Sequence, residues 1–129
     1  MEALQQQSRS KDMAGVALKA FDRIATRWGL TIAQAAALAD MSESTWKRAR
    51  KPANSVDLTH DQLLRLSAII GIYKSLELLF GEEVARTWPA LPNLGPLFNG
   101  ATPIETMIEQ GLPQFLQVRT YLDALRGGM

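Results

Sequence analysis

Residues 31–51 read TIAQAAALADMSESTWKRARK, two short helix-forming runs separated by a turn. Thr31 followed by Gln34 is a capping box, in which the hydroxyl accepts from one unpaired N–H of the first turn and the amide oxygen accepts from another. The Ala-rich run that it opens ends near Ala39. Ser42 is a natural N-cap for the next helix, which extends to about Lys51 before Pro52 stops it. Read as a helix-turn-helix, the segment puts small Ala36 where the two helices cross and turns Ala35, Ala39, Met41, Trp46 and Ala49 inward. Asp40 occupies the turn position where glycine is the usual choice, because the backbone there is left-handed.

Working outward, helical periodicity accounts for nearly everything else. Met13, Ala17, Phe21, Ile24 and Trp28 recur at three- and four-residue steps, alternate with Lys19, Asp22, Arg23 and Arg27, and stop at Gly29, which predicts an amphipathic first helix. Downstream, KPANSVDL reads as a loop. Thr59 with Gln62 repeats the capping pattern and opens a long helix through Leu63, Leu66, Ile69, Ile70, Tyr73 and Leu76 to Phe80, closed by Gly81. A short helix around Glu82 to Trp88 meets Pro89. Residues 91–111, LPNLGPLFNGATPIETMIEQG, then set a Pro/Gly turn against a sharply marked helix start. Thr102 is its N-cap, Pro103 takes the first helical position, Glu105 completes a capping box and Gly111 supplies the left-handed stop. Helices near 103–110 and 113–126 complete the chain, and no run alternates as a strand does. The expectation is an all-α fold, with a helix-turn-helix bundle over residues 1–58 and a small helical domain over residues 59–129.

A chain of 129 residues, 47% hydrophobic and 21% charged, is long enough for one full core or two small ones. With no cysteine it has neither a disulfide framework nor thiolate metal ligands. The N-terminal MEALQQQSRSKD lacks the apolar stretch of a signal peptide, and the longest apolar window, Leu63 to Phe80, is interrupted by Arg65, Lys74 and Glu77. The cytoplasm is the expected location, with no membrane partner. Charge is unevenly spread: residues 1–74 carry 11 Lys/Arg against 7 Asp/Glu, and residues 75–129 carry 3 against 6. One end suits a polyanion and the other does not.

The chemistry of the second and third helices fits DNA. From Ser42 to Lys51 the net charge is +3, and Ser42, Glu43, Ser44, Lys47, Arg48 and Lys51 fall towards a groove or its flanking phosphates, with Thr31 and Gln34 at the start of the preceding helix as further candidates. Trp46 points to the core instead of a base. Catalysis finds no such support. His60 is the only histidine and reads as an exposed first-turn residue. Glu82 and Glu83 complement a helix N-terminus, Glu105 and Glu109 form a like-charged pair on a solvated face, and NLGPLFNG lacks the Lys-Ser/Thr of a phosphate loop. No enzyme activity, metal or cofactor is expected.

Two resemblances add to this reading. The helix-turn-helix resembles that of the Xre/Cro-type repressors, departing from it at Asp40. The C-terminal part, with Trp88, Pro92, Asn93, Gly100, Thr102 and Pro103 in order and a last helix GLPQFLQVRTYLDAL, resembles the toxin-binding domain of the Xre/MbcA/ParS antitoxins. The resemblance implies a bacterial type II antitoxin that neutralises a RES-domain toxin, an enzyme that consumes NAD or transfers ADP-ribose from it, by covering its active-site entrance, and that binds its own operator DNA. It implies toxin-binding residues on the final helix: Phe115, Leu116, Arg119, Leu122, Arg126 and the tail Gly127, Gly128 and Met129. Core packing is the competing role for Phe115 and Leu122, whereas a cation at Arg119 or Arg126 suits a pocket built for a pyrophosphate. A homodimer within a larger complex is expected, with the helix from Thr59 to Phe80 serving either as the dimer surface or as the subunit's own core. A stand-alone regulator whose C-terminal half dimerises or senses a ligand is the alternative.

Overall fold

Four hydroxyl side chains set where helices begin. Thr31, Ser42, Thr59 and Thr102 hold extended backbone, and each accepts a hydrogen bond from the N–H three residues on, at 3.0–3.1 Å. At Thr31, Thr59 and Thr102 the cap N–H also donates to the side chain of Gln34, Gln62 or Glu105, closing the capping boxes. Each cap is worth about 1 kcal/mol to its helix. The computed structural model describes residues 2–51 and 56–127, with the side chains of residues 9, 11–51 and 56–127. In chain order the helices are α1 (Glu2–Arg27), α2 (Ile32–Ala39), α3 (Glu43–Ala49), α4 (His60–Phe80), α5 (Glu82–Thr87), α6 (Pro103–Gln110) and α7 (Leu112–Gly127), with one 3-10 turn at Trp88–Ala90. No strand occurs among the described residues, so the all-α expectation holds. The stop assigned to Pro52 lies outside the described residues.

The first helix differs from its expected form in two ways. It begins at Glu2, and its buried stripe is Ala14, Ala17, Leu18, Phe21, Ile24, Ala25 and Trp28, while Met13 is 57% exposed. At about 100° per residue the stripe centres on Phe21, and Met13 falls about 80° to one side of it.

α4 occupies the middle of the molecule. Leu66, Ile69, Ile72 and Leu76 are wholly buried, and α1, α2, α5 and α7 all pack against the helix. Its apolar excess is therefore used inside the subunit, leaving Leu64, Leu78 and Phe80 as its exposed apolar residues. One continuous cluster of buried side chains runs from Phe21 and Trp46 through α4 to Phe115 and Leu122. Polar bonds fix the packing angles. The Trp28 indole donates to the Ala85 carbonyl at 2.8 Å, and Arg27 donates to the Tyr73 hydroxyl at 3.0 Å.

The α2–α3 turn is held at both sides. Asp40 is left-handed, at φ 57° and ψ 50°, and its N–H bonds back to the end of α2. Its carbonyl accepts from Gln62 Nε2 at 2.9 Å, so the glutamine that caps α4 also ties the turn to that helix. Because only backbone atoms of Asp40 make these bonds, Asp40→Gly should keep them, relieve the left-handed strain and raise stability by roughly 0.5–1 kcal/mol. Leu66→Ala, emptying a wholly buried site, should lower it by about 2–5 kcal/mol. Urea unfolding with an unchanged slope measures both.

Candidate functional site

Helical geometry gathers Lys47 and Arg48 of α3 on one side, and the helix ends at Ala49, short of the expected Lys51, which follows two residues on. Ser44, Lys47, Arg48 and Lys51 recur at three- and four-residue steps and all are exposed, as are Ser42 and Glu43. The opposite side is locked. Trp46 is 1% exposed and meets the edge of Phe21 at 5.1 Å between centroids. Arg50, which the sequence reading gave no role, donates from Nε to Asp22 at 2.9 Å with its guanidinium 5.8 Å from the Trp46 ring, and so fixes the end of α3 to α1. Ser42, Thr31 and Gln34 spend hydrogen bonds on capping. Thr31 remains exposed at the start of α2, whereas Gln34 is half-buried.

The loop from 91 to 102 is ordered by one side chain and a short pair of backbone bonds. Asn93 Oδ1 accepts from the Gly95 N–H at 2.7 Å, its own N–H donates to the Ala101 carbonyl, and the Gly100 N–H donates back to its carbonyl at 2.9 Å. Positive φ at Asn99 and Gly100, 50° and 88°, turns the chain between these bonds. Phe98 is thereby buried edge-on to Trp88 at 5.5 Å. Gln114 of α7, also unassigned from sequence, is 2% exposed and donates to both the Leu97 carbonyl and the Thr106 hydroxyl. The residues that carry the C-terminal resemblance thus include those that build this loop.

On α7 the candidate residues separate. Phe115 and Leu122 are 0% and 1% exposed and belong to the core against α4, because they share the i, i+3, i+7 stripe with Val118 that the apolar α4 covers. Leu116, 100° round the helix from Phe115, is 44% exposed. It lines an apolar groove of about 400 Å³ with Pro96, Leu97, Gln117, Thr120 and Tyr121. Arg119 and Arg126 are exposed but bend back on α4, donating to the Ser67 carbonyl and the Ser75 hydroxyl, each at 3.4 Å. Asp123 lies 3.9 Å from Arg119 Nε and accepts from Ser75. Gly127 ends the helix, and Gly128 and Met129 lie outside the described residues. His60 is exposed at the start of α4, and no group of three His, Asp or Glu side chains able to hold a metal occurs among the described residues. No described helix is long and apolar enough to cross a membrane.

Comparison with known proteins agrees with this geometry. Residues 8–71 match the antitoxin Xre-like helix-turn-helix domain, and residues 75–128 match the antitoxin Xre/MbcA/ParS C-terminal toxin-binding domain. The two matched spans meet inside α4. The chain is also 39% identical over 131 residues, covering 98% of each protein, to the uncharacterized protein y4oB of Sinorhizobium fredii (strain NBRC 101917 / NGR234).

The Arg119 pose depends on a missing side chain. A Cβ at Gly71 of α4 would lie 2.7 Å from Arg119 Cζ and Nε. Gly71→Ala should therefore lift the guanidinium off α4 while adding up to about 1 kcal/mol of helix stability. An unfolding midpoint that holds or rises, with a shifted Arg119 Nε–H resonance, is the expected result.

Proposed function

Because the chain belongs to the Xre/MbcA/ParS antitoxin family, we propose that it neutralises a RES-domain toxin, one that consumes NAD or transfers ADP-ribose from it, by covering the toxin's active-site entrance with its C-terminal region. Residues 59–129 bind the toxin and residues 1–58 bind the chain's own operator, making it an autoregulator. The observation that carries this reading is that an antitoxin helix-turn-helix domain and an antitoxin toxin-binding domain match the chain in succession from residue 8 to residue 128. The protein acts in the cytoplasm, where NAD and operator DNA both are, as a homodimer within the toxin complex. A dimer suits the DNA side, since one seven-residue α3 reads little sequence and paired half-sites about one helical turn apart read more.

The burial of α7 divides the labour among its residues. Phe115 and Leu122 support the helix from inside. Arg119 and Arg126 reach the surface with most of their donors uncommitted to short bonds, and their fixed charge suits a pocket made for the pyrophosphate of NAD. Leu116 and the adjoining groove add apolar contact. No part of this needs catalysis by the antitoxin; the chemistry belongs to the toxin.

Cutting the chain at Arg119 would remove buried Leu122 and confuse unfolding with lost recognition. Arg119→Glu with Arg126→Glu leaves the core intact and should cost little stability while abolishing neutralisation, since a reversed charge at a desolvated interface costs several kcal/mol. Growth and intracellular NAD in cells expressing toxin and variant read the outcome, and full protection refutes the α7 assignment. Lys47→Ala with Arg48→Ala should do the reverse. Neutralisation should persist, while operator affinity falls and the salt exponent drops by about two.

A further inference from the structure

A second cationic surface lies outside the face of α3 just described. Between α1 and the C-terminal end of α3 runs a cleft of about 580 Å³ whose cations are Lys11, Lys19, Arg23, Arg50 and Lys51. Two carboxylates share it, Asp12 and Asp22. Asp22 is already held by Arg50 at 2.9 Å, so the cleft keeps an excess of positive charge. Lys11, Lys19 and Arg23 lie on exposed positions of α1, eight and then four residues apart, about 12 Å and about 6 Å along the helix axis and together spanning about 18 Å. Leu18 and Ala49 form part of the wall, so the cations rim a groove with an apolar floor instead of standing scattered on a convex face.

We propose that this cleft is a second polyanion site that grips the DNA backbone beyond the groove reached by α3. Three features carry the assignment. The cleft's net charge is positive and its α1 cations are spread over about 18 Å, as a phosphate backbone requires, and a compact anion would need the cations to converge on one point. Lys51, two residues past the end of α3, adjoins its exposed row and also lines the cleft, so the two surfaces are continuous. Arg50, bonded to Asp22 and packed on Trp46, locks α1 to α3 and fixes the distance between them, so one rigid body presents both to one duplex. Contacts of this kind carry no sequence information; they raise affinity and set register.

The inference rests on the DNA-binding reading above, and the test separates the two. A mixed-sequence duplex of 40 base pairs serves as probe, with the full chain and fluorescence anisotropy across a potassium chloride series. Lys19→Ala with Arg23→Ala should reduce affinity roughly tenfold and lower the salt exponent by about two, each phosphate contact contributing about 0.9. Lys19→Arg with Arg23→Lys should restore both values, since charge is kept; circular dichroism checks the fold of each. Unchanged affinity and exponent for the alanine pair, with a loss for Lys47→Ala with Arg48→Ala, overturns the cleft and leaves α3 as the DNA surface. No effect of either pair overturns both. Inorganic phosphate is the second probe. Saturable shifts of the cleft amides on adding it, without an effect of the alanine pair on the duplex, would make this a small-anion site and also overturn the proposal.

Discussion

A helix of 21 residues with apolar side chains on most of its circumference is stable in water only when other elements cover most of it. α4 is such a helix, with Leu66, Ile69, Ile72 and Leu76 wholly buried, and four other helices are arranged as its cover. α1 and α2 pack on it from the N-terminal half of the chain, α5 and α7 from the C-terminal half. Neither half can close its core without α4. This explains why the two matched domains meet within the helix while the buried side chains form one cluster.

Polar bonds from α4 then convert shared burial into fixed geometry. Gln62 closes its own cap and holds the Asp40 carbonyl at the α2–α3 turn. Tyr73 receives Arg27, and Trp28 reaches past it to the Ala85 carbonyl. At the other side Gly71 leaves room for the Arg119 guanidinium and Ser75 meets both Asp123 and Arg126. Trp28, Tyr73 and Ser75 are buried groups whose desolvation must be matched by a partner, and no buried side-chain polar atom among the described residues lacks one. The surfaces offered to DNA and to protein are both set by what α4 holds beneath them.

Helix boundaries were legible in the sequence because they are local. Thr31, Ser42, Thr59 and Thr102 cap as their spacing predicts, and the turn at Asp40 is left-handed as the motif demands. The inward set of the helix-turn-helix was legible for the same reason, Trp46 included. Misread elements involve partners distant in the chain. Met13 continues a four-residue step but lies beyond what the rest of the fold covers, and α1 extends upstream through a polar stretch that periodicity does not mark. Phe115 and Leu122 could not be divided between core and surface until α4 was known to lie against them. Gln114 and Arg50 gave no signal at all, since their roles depend on a loop 17 residues away and on Asp22, 28 residues away.

Charge placement follows from the same architecture. The acidic groups Glu77, Glu82 and Glu83 cluster at the C-terminal end of α4 and the start of α5, while Gln62 at its other end touches the turn that leads into α3. The helix separates Gln62 from Glu77 by about 22 Å along its axis. At physiological ionic strength the Debye length is about 8 Å, so these carboxylates are screened from a phosphate lying on α3 and add little repulsion to it. A chain with a formal net charge of only +1 can therefore present a strongly cationic face, because the length of its central helix, more than its net composition, determines which charges a bound polyanion feels.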